Sequence, residues 1–249
     1  MSFVWIFKKI VKSIIPIQIK SLLNKIYFEK YVFNQGTVEK RMTRIYKSNY
    51  WGNKESVSGP GSTLVSTQGL ILQLPLLIKR LKIQSIFDAP CGDFNWMKRV
   101  LEDLDIRYLG GDIVQDLIDI NTKKYSSDQV KFQQFNISQD KFPYSDLWLS
   151  RHIFFHLSFH DIAGALENFL ESKSTFILTT NSLVEGNYIN RDIESGGWRP
   201  VDLFGAPFNF PTQVLATIQD YAPPASPTNL ILLHRDQLIT PVQELREKI

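Results

Sequence analysis

From about Gln84 onward, short apolar runs alternate with amphipathic helical stretches, and this alternation limits the chain to few folds. Ser85–Asp88 is an apolar run closed by an acid and reads as a buried strand. Residues 94–104 set Trp96, Met97, Val100, Leu101 and Leu104 on one helical face. A second strand is expected over Arg107–Asp112, a second helix over 114–125, a third strand over Val130–Phe135 and a fourth over Asp146–Ser150. Ser158 and Asp161 have the spacing of a capping box that opens a helix to about Leu170, followed by a fifth strand over Ser174–Thr180. Such alternation predicts a parallel sheet with helices on both faces. Ligands of such sheets bind beyond the carboxyl ends of the strands. Asp88–Asp93, Asp112, Asn136 and Ser150–His156 are therefore the places to look for chemistry. The stretch 183–211 is polar, carries Gly and Pro, and is long enough for a functional loop.

At 249 residues the chain suits one α/β domain with an appended segment. The single cysteine, Cys91, excludes an internal disulfide and a Cys-rich zinc site. Residues 1–50 carry ten Lys/Arg and two Glu, a net charge of +8, while the remainder carries a net −5. Phe3, Val4, Phe7, Ile10, Val11, Ile14 and Ile15 recur at helical spacing, with Lys8, Lys9 and Lys12 on the other side. Pro16 should end or kink this helix, and a second apolar-basic stretch runs to about Phe33. We therefore expect a basic amphipathic arm over 1–45 and a catalytic domain over 46–249. No apolar run reaches the roughly 18 residues of a membrane span. The segment also lacks the charge order of a secretory signal and the Arg content of a mitochondrial one. A cytoplasmic protein is expected, with peripheral contact between residues 3–33 and the anionic inner face of a membrane. The alternative is an arm packed on its own domain or on a partner. The acidic body argues against a nucleic-acid partner, which needs an exposed basic track.

The turn Asp88-Ala-Pro-Cys-Gly-Asp93 follows a strand and opens a helix, and Asp112 ends the next strand. An acid at that position suits a ribose diol, which allows both NAD and S-adenosylmethionine. A dinucleotide needs three glycines around its pyrophosphate. This turn has only Gly92, and its Asp88 and Asp93 would repel phosphates. S-adenosylmethionine brings an ammonium and a sulfonium, which carboxylates attract. The turn favours S-adenosylmethionine.

The block Asp88-Ala-Pro-Cys-Gly-Asp-Phe-Asn-Trp-Met97, with Gly111-Asp-Ile-Val114, Asn136-Ile-Ser138 and His156-Leu-Ser-Phe-His-Asp-Ile162, resembles the ordered motifs of class I S-adenosylmethionine-dependent methyltransferases. The likeness is greatest to a little-characterised bacterial subgroup that carries the D-A-P-C-G-D-F-N-W-M block. Trp51 with Ser58-Gly-Pro-Gly-Ser-Thr-Leu64, and Trp198-Arg-Pro200 with Ala206-Pro-Phe-Asn-Phe-Pro211, match further segments of that subgroup. The resemblance covers about residues 45–238. It implies a Rossmann-like α/β fold with a seven-stranded, mostly parallel sheet of order 3-2-1-4-5-7-6 and an antiparallel strand 7. Asn229–His234 is a candidate for one of the last strands.

The resemblance also implies site roles. Asp88, Ala89 and Gly92 would meet the methionine end of the cofactor. Asp112 would bind the ribose, Ile113 and Ile137 would flank the adenine, and Asn136 would meet its edge. Ser150 and Arg151 would border the cofactor beyond the fourth strand. The subgroup usually has Asp where this chain has Asn136, and Asp again where it has His152, which weakens an acid–base role at 152. Ser58, Gly59, Gly61 and Ser62 precede a helix-like run over Leu64–Leu81 that Pro75 should kink or split. Their backbone N–H groups suit the cofactor's carboxylate; the alternative is a plain helix start with Ser62 as N-cap. Trp51 is either a wall of the pocket or a core aromatic.

His152, His156 and His160 are each four apart, but strand and cap signals spread them over three elements, so no metal is expected. Cys91, beside two acids, is a poor nucleophile. His156 is the candidate base for removing a hydroxyl proton; the alternative is a histidine satisfied locally. Asp192, Trp198 and Arg199 are candidates for contacting the acceptor or for holding the long loop. The expected activity is methyl transfer to a hydroxyl of a small molecule or glycan intermediate. The alternatives are a non-catalytic cofactor-binding or scaffold module with the same fold, an NAD-dependent oxidoreductase and an RNA methyltransferase.

Overall fold

The computed structural model describes residues 36–220 and 226–249. Residues 3–33, where the amphipathic arm is expected, lie outside this range. Seven strands form one sheet: β1 Ser85–Asp88, β2 Arg107–Asp112, β3 Val130–Gln134, β4 Leu147–Ser150, β5 Phe176–Ser182, β6 Ala216–Gln219 and β7 Thr228–His234. Their order is β3-β2-β1-β4-β5-β7-β6. Strands β1 to β5 are parallel, and β7 runs antiparallel to both β5 and β6. The helices are α1 Val38–Lys47, α2 Gln68–Leu81, α3 Met97–Leu101, α4 Gln115–Tyr125, α5 Phe159–Glu171 and α6 Ile239–Lys248. The fold expected from the sequence is the fold observed.

Side chains alternate across a strand, so each central strand feeds two cores. Phe87, Trp148, Ile177, Ile231 and Leu233 face one side, where α5 and α6 cover them with Ile162, Leu166, Phe169, Val242 and Leu245. Ile86, Leu147, Leu149, Leu178, Leu230 and Leu232 face the other, against Leu70, Leu74, Leu77 and Ile78 of α2 and Met97 and Val100 of α3. Both faces of the central strands are buried, which is why these strands read as near-continuous apolar runs.

Four local expectations change. Helix α3 begins at Met97, not at 94, because Phe94 takes a left-handed φ of 58° to bury its ring against Tyr108, Tyr125 and Phe132. The run from Leu64 becomes helical only at Gln68 and continues unbroken past Pro75, whose lost N–H is outweighed by Leu70, Leu74, Leu77 and Ile78 buried on either side of it. Its N-cap position is Thr67, so Ser62 caps nothing; residues 60–62 form a separate 3₁₀ turn. Ser158 caps α5 through the Asp161 N–H, but the reciprocal half of the box is absent: the Ser158 N–H goes to Ser195 Oγ at 2.8 Å.

The expected boundary at residue 45 falls inside α1. Val38 and Met42 of that helix pack on the core, and Arg41 donates to the Ser195 carbonyl at 3.0 Å. Its outer end holds Asp116 through Lys47 at 3.0 Å. No described helix is long and apolar enough to cross a membrane.

Candidate active site

A cavity of about 540 Å³ opens at the carboxyl ends of β1, β2 and β4, where the sheet order reverses direction. Its walls include Trp51, Ser58, Gly59, Gly61, Ser62, Asp88, Gly92, Asp112, Ile113, Asn136, Ile137, Arg151, His156 and Trp198. The fold thus gathers most of the site residues expected from the sequence.

Two carboxylates end their strands inside this cavity. Asp112 Oδ1 accepts from Val114 N at 3.0 Å and Oδ2 from Gly92 N at 3.1 Å, which ties the first turn to β2. Asp88 accepts from the Tyr108 hydroxyl at 2.7 Å. Burial pushes the Asp88 carboxyl up to about 7 and the Asp112 carboxyl to about 6. Two acids sharing a buried wall raise each other's cost of ionisation. That donor set fits a ligand that brings positive charge and hydroxyls, and it opposes phosphate. Gly92, at φ 56°, passes so near the Ser58 hydroxyl that a Cβ would collide with it.

The upstream Gly-Ser segment is anchored to the first turn rather than left open. Asp93 accepts from Val57 N at 2.9 Å and from Ser58 Oγ at 3.3 Å, and its own N–H donates to Ser58 Oγ at 3.0 Å. The N–H groups of Ser58, Gly59 and Ser62 are taken by Ser56 Oγ, Ser56 O and Gly59 O. These three amides are already engaged within the segment, which leaves Gly61 as the remaining residue of the expected anion site.

The sequence did not single out Asp220. It directly follows β6, lines the same cavity and accepts from Arg151 with both oxygens, Oδ2 from Nε and Oδ1 from Nη2, each at 2.8 Å. His152 Nε2 lies 3.0 Å from Asp220 Oδ2. The neighbouring Arg151 and His152 hold the Asp220 carboxyl well below the usual carboxylate range despite its burial. Arg151 Nη2 also donates to Gly61 O at 2.8 Å, so Nη1 is the part of this guanidinium left for a ligand. The lone acid between a short strand and a Pro-rich stretch was the available signal. The 69-residue separation from Arg151 hid the pairing.

His156 Nδ1 sits 2.7 Å from the Gly197 carbonyl, which fixes the proton on Nδ1 and leaves Nε2 as the acceptor. Burial pushes this imidazole down to about 4. Asn136 Oδ1 already accepts from Ser138 N at 3.1 Å, so only its second lone pair remains for an adenine.

Four expected site residues do not line this cavity. Ala89 is buried, with its N–H on Leu149 O and its carbonyl on the Trp148 indole. Ser150 is fully buried, because β4 turns its side chain into the sheet's flank. Asp192 Oδ1 accepts from Phe159 N at 2.7 Å, at the start of α5. Arg199 is a strut: Nη1 and Nη2 donate to the Phe154 and Leu157 carbonyls at 2.6 Å each, and Nε to Arg191 O at 3.1 Å. Asp192 and Arg199 both hold the long loop, and Asp192 is exposed beside a second surface pocket lined by Val38, Arg41 and Ser158. His160, the third histidine of the series, lies on the exposed side of α5 near Arg246.

No family model and no curated protein matches this sequence. Solved structures do match. A SAM-dependent methyltransferase from Leishmania major aligns at TM-score 0.58 and 14% identity, over 80% of this chain and 87% of its own. The magnesium protoporphyrin IX methyltransferase from Synechocystis PCC 6803 with bound SAH aligns at TM-score 0.54 and 10% identity, over 87% and 99%. Human N-acetylserotonin methyltransferase in complex with SAM aligns at TM-score 0.48 and 14% identity; the match spans 84% of this chain but 61% of that longer one, too loosely to argue from. The fold is that of the class I methyltransferases. In the class I methyltransferase fold the cavity occupies the switch point, and Asp88 and Asp112 stand at the ends of its first two strands.

Proposed function

We propose that this protein binds S-adenosylmethionine and transfers its methyl group to a hydroxyl. The observation that carries this reading is the pair of buried carboxylates, Asp88 and Asp112, at adjacent strand ends of the cavity. The cofactor would supply an electrophilic methyl on a sulfonium and a charge that offsets these acids. Asp112 would hold the ribose hydroxyls, Asp88 the ammonium and Arg151 Nη1 the carboxylate. Ile113 and Ile137 would flank the adenine, with Asn136 at its edge. The likeness to the bacterial subgroup rests on the sequence motifs and adds no acceptor.

In this reading His156 Nε2 would take the proton of the acceptor hydroxyl as its oxygen attacks carbon; the Nδ1 contact with Gly197 O, which leaves Nε2 as acceptor, supports it. Burial lowers its basicity, so in this reading alignment of donor and acceptor would carry more of the rate than proton removal.

Calorimetric titration with S-adenosylhomocysteine tests the cofactor. Micromolar binding is expected, weakened at least ~30-fold by Asp112→Ala, a loss of roughly 2 kcal/mol. Folded wild-type protein that binds no S-adenosylhomocysteine would sink the reading and leave the scaffold alternative.

A further inference from the structure

The part of the cavity beyond the carboxylates is built from rings. Trp51, Phe155, His156 and Trp198 come from three separate segments and converge there. Trp51 and His156 have ring centroids 5.9 Å apart, Phe155 and His156 4.7 Å, and Phe155 and Trp198 6.4 Å. Each ring is held from behind. Gly59, at φ 102°, lets the Trp51 side chain lie so close that a Cβ would sit 3.3 Å from it. Gly196 N donates to His156 O at 2.7 Å, and Arg199 N to Phe155 O at 3.0 Å, so Trp198 is strapped across the turn that carries Phe155 and His156. Yet Trp198 is 54% exposed. An indole pinned by its backbone and left half bare at a cavity mouth is a contact surface without its partner.

We propose that the acceptor is a flat aromatic alcohol, bound between these rings with its hydroxyl toward His156 Nε2. This rests on the methyl-transfer reading for the role of the hydroxyl, but the ring recognition stands on the cage itself. A sugar would bring several hydroxyls, each needing a partner once desolvated. Among the described residues the four rings carry as polar groups just the two indole N–H groups and the His156 imidazole; His152 lies beside Phe155 but faces Asp220, and α1 adds Val38, Met42 and Tyr46 to the cavity wall. A cation would also be drawn to these ring faces, but Arg151 in the same cavity opposes it, and Asp220 is already held by Arg151 and His152. A planar ring with one hydroxyl leaves nothing unsatisfied and gains offset or edge contacts with all four rings.

The test uses the full chain saturated with S-adenosylhomocysteine and titrated calorimetrically with three probes: 1-naphthol, its saturated analogue decahydro-1-naphthol, and methyl α-D-glucopyranoside. The naphthol should bind ~10-fold or more tighter than the saturated alcohol, and the pyranoside should not bind. Trp198→Ala should weaken naphthol ~10-fold, with Trp198→Phe restoring most of the affinity; both should keep wild-type S-adenosylhomocysteine binding and melting temperature. Equal binding of the flat and saturated alcohols, preferential binding of the sugar, or indifference to Trp198→Ala each overturns the proposal. Failure of naphthol with S-adenosylhomocysteine bound defeats the acceptor class alone. Failure of S-adenosylhomocysteine, with naphthol still bound in its absence, defeats the cofactor and keeps the ring site.

Discussion

Asp88 is buried at the end of β1, where the Tyr108 hydroxyl donates to it. Its carboxyl lies near 7 in the fold against 3.8 when unperturbed, so between those values the folded chain binds more protons than the unfolded one. Stability contributed by this group is therefore present at low pH and lost as pH rises toward 7. Asp112, raised to about 6, acts in the same direction, while His156, lowered to about 4, acts oppositely as pH falls below 6.5. Asp88→Asn keeps an acceptor for Tyr108 and removes the charge. In the ligand-free protein it should raise stability at pH 8 by roughly 2–4 kcal/mol and change little at pH 4. Thermal melts of both proteins across pH check this by difference, which cancels the other groups. The same variant should weaken S-adenosylhomocysteine, so stability and binding move in opposite directions, the mark of a site that stores cost for a ligand. An Asp88→Asn protein that is less stable at pH 8 would show that the carboxylate is already compensated without one. Both acids were legible in the sequence because they close apolar strands. Asp220 was not: its role depends on Arg151, which only the sheet order brings to it.

At the scale of elements, the buried runs of β1, β2 and β4 were readable to within a residue, and so was the edge strand β3, where half-buried Val130 and Phe132 alternate with exposed residues. What escaped were segments whose conformation is set by distant polar partners. Asn95 is drawn to Glu55 at 2.9 Å and to Ser62 O at 3.0 Å, which together with left-handed Phe94 delays α3. The long loop is another case. Nothing local in 183–211 says that Arg199 spans three carbonyls or that Asn190 ties Asp202 and Ala206 at 2.8 Å each. These bonds make the loop a built wall and give Trp198 its fixed position. Arg199→Ala strips buried donors from the Phe154, Leu157 and Arg191 carbonyls. A destabilisation of roughly 2–4 kcal/mol is expected in denaturant melts, with acceptor-side binding lost before cofactor binding. Equal loss of both would mean that the loop supports the whole cavity.

The whole molecule is electrically divided, with a net +8 in residues 1–50 and −5 in the rest. Part of that positive charge sits on α1, where Lys47 is committed to Asp116 and Arg41 to the long loop. Lys8, Lys9 and Lys12 belong to the segment whose apolar residues recur at helical spacing. An anionic bilayer would attract that segment while repelling the acidic body, leaving the domain oriented above the surface. Each basic residue near such a surface contributes about 1 kcal/mol, so three of them account for roughly a 150-fold change in partitioning. The full chain should sediment with vesicles containing phosphatidylglycerol, less with pure phosphatidylcholine, and release in high salt. Changing Lys8, Lys9 and Lys12 to Glu should abolish sedimentation and leave S-adenosylhomocysteine affinity unchanged, since the carboxylate wall is built entirely from residues of the domain. Sedimentation that survives the triple change would place the contact elsewhere. If the lysine change instead weakens cofactor binding, the arm packs on the domain, and its apolar face is part of the cavity rather than a membrane anchor.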